Sequence, residues 1–224
     1  MRKILLSTLL IAQSCLITDG FAQVPVAKLD VQLDGIAAGG PIPTNFAYCM
    51  SDGKGHTQPG GNISPAIRWS GAPAGTKSYA LIVVDPDVPA KFDDANKSGK
   101  TIAANFPRQN FYHWVLINIP VSVQGLLQGK DSSGVTQGGK PTGKTEYGVN
   151  GINGYGFGGY DGPCPPWNDQ RLHHYHFRVY ALDIPALHLP DPVKGSLAES
   201  AMDGHILAQG EVVGTYTNNP AGAQ

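Results

Sequence analysis

A chain of 224 residues, 41% hydrophobic and 15% charged, has enough apolar content to bury a core, which excludes disorder as its general state. Lys+Arg 16 against Asp+Glu 17 gives a formal net charge of −1, which removes the electrostatic basis for non-specific nucleic-acid binding. Gly 29 and Pro 18 favour a turn-rich β protein over a helical bundle.

The chain opens with basic Arg2 and Lys3, an apolar stretch from Ile4 to Ile17, and small Gly20 and Ala22 set two apart. This pattern predicts a secretory signal peptide over residues 1–22, with the mature chain starting near Gln23 and forming one domain over 23–224. An uncleaved anchor is the alternative, but the stretch falls short of the ~18 apolar residues a spanning helix usually needs. A lipoprotein reading at Cys15 is weakened by polar Gln13 before it. Cleavage would leave a net charge of 14 − 16 = −2 and no membrane-spanning segment. It would also leave two cysteines, Cys49 and Cys164. In an exported protein these suggest one disulfide, two unpaired buried thiols being the other reading.

Beyond a weak strand at 29–33, strand-like runs occur at 79–84 (YALIVV), 112–119 (YHWVLINI), 175–182 (YHFRVYAL) and 211–216 (EVVGTY). The first two of these four are apolar on both faces and are expected to be central strands. One segment reads as a helix, "SLAESAMDGHILAQG" at 196–210. Ser196 and Glu199 fit a capping box, Leu197, Ala201, Met202 and Ile206 form a stripe, and Gly210 ends it. Residues 125–162 hold 13 of the 29 glycines, and a loop of that length is usually functional or mobile.

Several motifs lack their chemistry. "GGKPTGKT" at 138–145 matches a phosphate-loop pattern, but "EYGVNGING" follows it and makes a poor helix N-terminus for phosphates. No G-x-S-x-G or H-E-x-x-H is present, and the S-x-x-K match from Ser51 to Lys54 has no companion motifs.

The stretch "LIVVDPDVPA" at 81–90 ends an apolar run in Asp85 and Asp87 on either side of Pro86. It is either a plain turn or a site. In "RLHHYHFRVYALD", strand alternation puts His173, Tyr175, Phe177 and Val179 on an inward face and His174, His176 and Arg178 on the other. His113 also begins a strand after a loop. Asp85, Asp87, His113 and His173 could hold a metal, though the usual short ligand spacings are missing. The histidines could equally be structural, or could donate hydrogen bonds to an anion with help from backbone N–H groups in "GGYDGPC".

"DPDVP", "HWVLINIP", "GPCPP" and "HHYHFRVYAL", in that order, resemble the phosphatidylethanolamine-binding proteins, a family that includes the Raf kinase inhibitor proteins. "GGNISPAIRWSGAPAGTKSYALIVVDPDVP" and "AMDGHILAQGEVVGTYT" are similar to its bacterial branch, and the likeness spans roughly residues 28–217. The resemblance implies a mainly β, β-sandwich-like fold with few helices, one of them near the C-terminus, and a small anion pocket at one end. It assigns that pocket Asp85, Asp87 and Pro89, then His113, then Gly162, Pro165 and Pro166, then His173 and Tyr175. Phe111 stands where the family often has tryptophan, and His174 where it often has arginine.

Like charges repel, so the carboxylates are expected to orient histidines and loop amides toward the anion, with Asp87 as first choice for that role. For the site to assemble, the 79–84 strand must pair antiparallel with the His113 strand. The His173 strand must then run parallel to the His113 strand, with 120–172 as the crossover. Asp87, His113 and His173 would share one cavity, with His174 and His176 outside it.

The functional expectation is an exported, periplasmic or secreted, non-enzymatic binding protein for a phosphate or similar small anion. The anion would be free, on a phospholipid head group, or on a protein partner, with no cofactor or metal. Two alternatives stand beside it. One is a periplasmic acid–base hydrolase using His113, His173 and Asp87; the other is a kinase- or protease-inhibitor type of interaction protein.

Overall fold

The computed structural model describes residues 26–221, so the leader expected over 1–22 and the expected start at Gln23 lie outside the described residues. The elements in chain order are β1 (Ala27–Lys28), β2 (Asp30–Leu33), β3 (Cys49–Ser51), β4 (Thr57–Pro59), β5 (Ile67–Ser70), β6 (Ser78–Pro89) and β7 (Arg108–Pro120). They continue as β8 (Gly125–Leu126), β9 (Gly143–Thr145), β10 (Gly148–Asn150), β11 (His173–Leu182), α1 (Gly195–Met202) and β12 (Ile206–Tyr216). No helix among the described residues is long and apolar enough to cross a membrane.

The architecture is mainly β. A seven-stranded sheet runs in the order β1-β12-β11-β6-β7-β10-β9, a three-stranded sheet in the order β2-β5-β8, and β3 pairs with β4. Strand β6 lies mid-sheet and is covered on both sides, which is why its apolar run shows no polar alternation. Tyr79, Leu81 and Val83 point into a core shared with Ile67 and Trp69 of the smaller sheet. Ala80 and Ile82 point the other way, into a second core closed by Leu187, Val193, Ala198 and Met202. Leu81, Ile82, Leu116 and Ile117 are fully buried, each contributing about 1.5–3 kcal/mol of transfer free energy. Along β11, His173, Tyr175, Phe177 and Val179 are buried while His174, His176 and Arg178 are less so, as period-two alternation requires.

The C-terminal helix differs from its sequence pattern. It ends at Met202, and Ile206–Gly210 belong to β12. Gly204, at φ +80, breaks the helix, and Gly210 packs so closely on β2 and its flank that a Cβ there would lie 2.5 Å from the Leu29 carbonyl oxygen. The capping box does not form: Lys194 is the N-cap, with no side-chain cap bond. Glu199 instead accepts a hydrogen bond from the Tyr112 hydroxyl at 2.6 Å. The buried stripe is therefore Gly195, Ala198 and Met202, while Leu197 is exposed.

Candidate functional site

Both β7 and β11 pair antiparallel with β6, so they run parallel to each other on either side of it. The β6–β11 ladder ends where Val84 meets His176, and on its other side Val84 faces Tyr112. Asp85 of β6, His113 of β7 and His173 of β11 therefore come together just past that point, around a cavity of about 110 Å³. This is roughly the liquid volume of three or four waters, enough for a small oxyanion head but not for a nucleotide.

Two β-bulges set the side-chain directions. On β7, Trp114 pairs with Val83 and Tyr112 with Val84, which leaves His113 as the extra residue, aimed into the cavity. On β6, Asp85 pairs with Phe111 and Val88 with Gln109, so the Asp-Pro-Asp segment carries one residue too many. The "DPDVP" stretch is thus a bulge inside a long strand and not a turn. Pro86 fits there because β6 has already left its β11 partner. The Asp87 N–H donates to Asp85 Oδ1 at 2.8 Å and fixes the bulge.

That extra residue changes the parity of the strand, so Val88 and not Asp87 lines the cavity beside Asp85. Asp87 accepts bonds from Arg171 Nε at 2.7 Å and from the backbone N–H and Nδ1 of His174 at 3.0 and 2.7 Å. Burial pushes its carboxyl up, but the His174 and Arg171 hydrogen bonds outweigh this and hold it below the ordinary range. The orienting role expected of Asp87 belongs to Asp85, whose Oδ2 sits 2.7 Å from His173 Nδ1.

His173 is fully buried between two carboxylates, with Nε2 lying 3.2 Å from Asp169 Oδ2. Arg108 grips the far side of Asp169 through both Nη atoms at 2.5 and 3.0 Å. Burial opposes charge on the imidazole, yet the Asp169 and Asp85 hydrogen bonds prevail and raise its pKa from 6.5 to about 9. His173 is therefore an imidazolium at neutral pH. Both its N–H groups are spent, so it lends the cavity charge but not the hydrogen bond expected of it.

His113 is the opposite case. Nδ1 donates to the Asp161 carbonyl oxygen at 2.7 Å, while Nε2, buried, has no partner. Burial lowers its pKa, Asp85 and the Asp161 carbonyl oppose that change, and the His173 charge reinforces it. Asp161 is itself locked in place: its carboxylate takes Lys140 Nζ at 2.6 Å, Asn62 Nδ2 at 2.7 Å and Asn153 Nδ2 at 2.8 Å.

The family model for phosphatidylethanolamine-binding protein matches residues 33–217. The chain belongs to the phosphatidylethanolamine-binding protein family. It is 34% identical to a UPF0098 protein of Aquifex aeolicus, over 85% of this chain and 98% of that one. It is 31% identical to UPF0098 protein YbcL of Escherichia coli, over 85% and 88% of the two chains. The crystal structure of E. coli YbcL, described as a new member of the mammalian family, superposes with a TM-score of 0.64 at 30% identity, covering 85% of this chain and 99% of that one.

Of the residues carried over from the phosphatidylethanolamine-binding proteins, Asp85, Phe111, His113, Pro165, Pro166, His173 and Tyr175 line the cavity. Asp87, Pro89 and Gly162 do not. Pro89 pairs with Arg108 in the β6–β7 ladder. Gly162 is structural: its N–H donates to Asn62 Oδ1 at 2.9 Å, and a Cβ there would lie 2.0 Å from the Phe46 carbonyl oxygen. His174 stays outside the cavity on Asp87, and His176 lies 3.0 Å from Glu211. The four residues weighed as metal ligands do not converge, since Asp87 faces elsewhere and both His173 nitrogens are held by carboxylates.

Cys164 also lines the cavity and is bonded to Cys49, with 4.9 Å between their Cα atoms. Sequence reasoning misses Asp161, Asp169, Arg108, Tyr155 and the exposed rim residue Phe92. Asp161 and Asp169 sit inside the loop "GYDGPCPPWND", but no periodicity marks a loop carboxylate as a partner of a distant histidine.

Proposed function

We propose that the cavity binds a small oxyanion of the phosphate class, free or as the end group of a lipid head or phosphorylated partner. The observation that carries this reading is His113 Nε2, a buried polar atom facing the cavity with no protein partner. Leaving such an atom unpaired costs about 1–3 kcal/mol, so a ligand that pairs it gains that amount. The charges around it are already matched, Asp85 and Asp169 against His173 and Arg108. An arriving anion therefore meets no uncompensated carboxylate. The name of the matched family, phosphatidylethanolamine-binding protein, supports the phosphate class.

Binding without turnover is the better reading of the same geometry. Cys164 is in a disulfide, and burial holds the Tyr155 and Tyr175 hydroxyls well above their ordinary pKa. His113, His173 and Asp87 form no proton relay, because His173 is saturated and Asp87 lies outside. Calorimetric titration with inorganic phosphate and phosphoethanolamine at pH 6 is expected to show binding. His113→Ala should weaken it about ten- to a hundredfold, the loss of one charge-assisted hydrogen bond, and His176→Ala should leave it unchanged. No binding of either ligand would sink the reading, and hydrolysis of a phosphate ester lost with His113 would turn it into an enzyme.

The leader-like residues 1–22 and the disulfide support an exported location. Protein recovered from outside the cytoplasm is expected to begin at or near Gln23. Recovery of intact Met1 from the cytoplasm would overturn this part.

A further inference from the structure

We infer that the Cys49–Cys164 bridge is a reversible thiol-exchange site: a small thiol entering the cavity attacks Cys164, releases Cys49 and leaves the cavity occupied by a mixed disulfide. The two half-cystines have unlike surroundings. Cys164 is part-exposed and lines the cavity with Pro165 and Pro166. Cys49 is 6% exposed and is not among the residues that line it. A thiol arriving through the cavity therefore meets Cys164 first, and access helps to decide which sulfur of a bridge is attacked.

The leaving sulfur is prepared for departure. Asn218, itself buried, donates from Nδ2 to Cys49 Sγ at 3.2 Å. A hydrogen bond to a developing thiolate favours the charged form, and a leaving thiol of lower pKa departs faster. The approach is open to a charged nucleophile as well. Asp85 and Asp169 are matched by His173 and Arg108, so an incoming thiolate meets no uncompensated carboxylate. A cavity of about 110 Å³, roughly the liquid volume of three or four waters, sets the class of that nucleophile as a small alkyl thiol.

The step balances without an oxidant. The thiolate forms a bond to Cys164 Sγ, the bond between the two Sγ atoms breaks, and its electron pair stays on Cys49, which takes a proton from water. The return path is held ready by bonds that involve no sulfur of Cys164. The Tyr48 and Cys49 N–H groups donate to the Pro163 carbonyl oxygen at 2.9 and 3.2 Å, and Asn218 Nδ2 donates to the Pro165 carbonyl oxygen at 2.9 Å. These contacts keep the two segments in register once the bridge opens, so Cys49 displaces the small thiol when its concentration falls. The adduct and an oxyanion need the same space and exclude each other, a consequence that rests on the oxyanion reading above.

The native wild-type protein makes the test. It is mixed with 2-mercaptoethanol at pH 8 without denaturant, quenched at intervals with iodoacetamide, and mapped by peptide mass. The expected early product carries 2-mercaptoethanol on Cys164 and the alkyl group on Cys49, in about tenfold excess over the reverse pair. Inorganic phosphate at about ten times its calorimetric Kd is expected to slow that product about tenfold, the factor 1 + [L]/Kd for competing occupancy. Equal or reversed labelling, or a bridge that stays intact until urea unfolds the chain, would overturn the exchange site and leave the oxyanion reading standing. Phosphate that binds by calorimetry but slows nothing would overturn entry through the cavity. Phosphate that does not bind would sink the oxyanion reading and the exclusion with it, while labelling confined to Cys164 would still uphold the exchange site.

Discussion

Replacing Cys49 and Cys164 together by serine is expected to lower stability by about 5 kcal/mol, the largest single effect on this chain. The bridge closes a loop of 115 residues in sequence separation, and the chain-entropy relation assigns a loop of that length about 5 kcal/mol. The variant is nevertheless expected to keep its fold. The same contact is held by Tyr48 N–H and Cys49 N–H on the Pro163 carbonyl oxygen, at 2.9 and 3.2 Å. It is held again by Asn218 Nδ2 on the Pro165 carbonyl oxygen at 2.9 Å. Because Cys164 and Pro165 line the cavity, weakened anion binding should accompany the loss. Urea unfolding of the two proteins at one pH measures the difference. A change below about 1 kcal/mol would mean that the unfolded chain already holds these segments together.

Raising the pH from 6.5 to beyond 9 is expected to remove about 3 kcal/mol through His173 alone. Its pKa is 6.5 when unconstrained and about 9 in the fold, and every tenfold gain in proton affinity is worth about 1.4 kcal/mol. The folded-state value is the higher one. The stabilisation is therefore complete below pH 6.5 and is lost as pH rises through 9. His113 has the opposite sign: its folded pKa lies below 6.5, so its contribution is lost as pH falls. Asp87 and Asp169, both lowered, withdraw their contributions only in stronger acid. Stability should therefore peak near pH 6.5. Denaturation midpoints across pH 5–10 check this, and a flat profile between 6.5 and 9 would show that His173 is not held as a cation.

The strands and the strand-pairing logic of the site are legible in the sequence alone. Period-two alternation over "HHYHFRVYAL" and unbroken apolarity over "YALIVV" are local properties, and each has one stable placement in a sheet covered on both faces. The cysteine pair is legible as far as arithmetic allows. At the helix, local pattern fails. "SLAESAMDGHILAQG" has helical spacing throughout, but Ile206–Gly210 gain a full ladder against Ala27–Lys28 and β11 by becoming strand. Tertiary pairing outweighs a spacing that propensity only weakly enforces.

At the site, residue types and rough placement are local, whereas roles are not. Asp85 and Asp87 are indistinguishable in "DPDVP", and only the bulge against Phe111 and Gln109 turns one into the cavity and the other toward Arg171 and His174. His113 and His173 look alike as strand-opening histidines. Their opposite protonation follows from Asp169, held by Arg108 across 61 residues and bonded to His173, and from the burial that encloses His113 with no carboxylate on either ring nitrogen. A side chain's face in a strand follows from its neighbours in sequence. Its charge and hydrogen-bonding role follow from the neighbours that folding brings to it across the chain, and these no local pattern encodes.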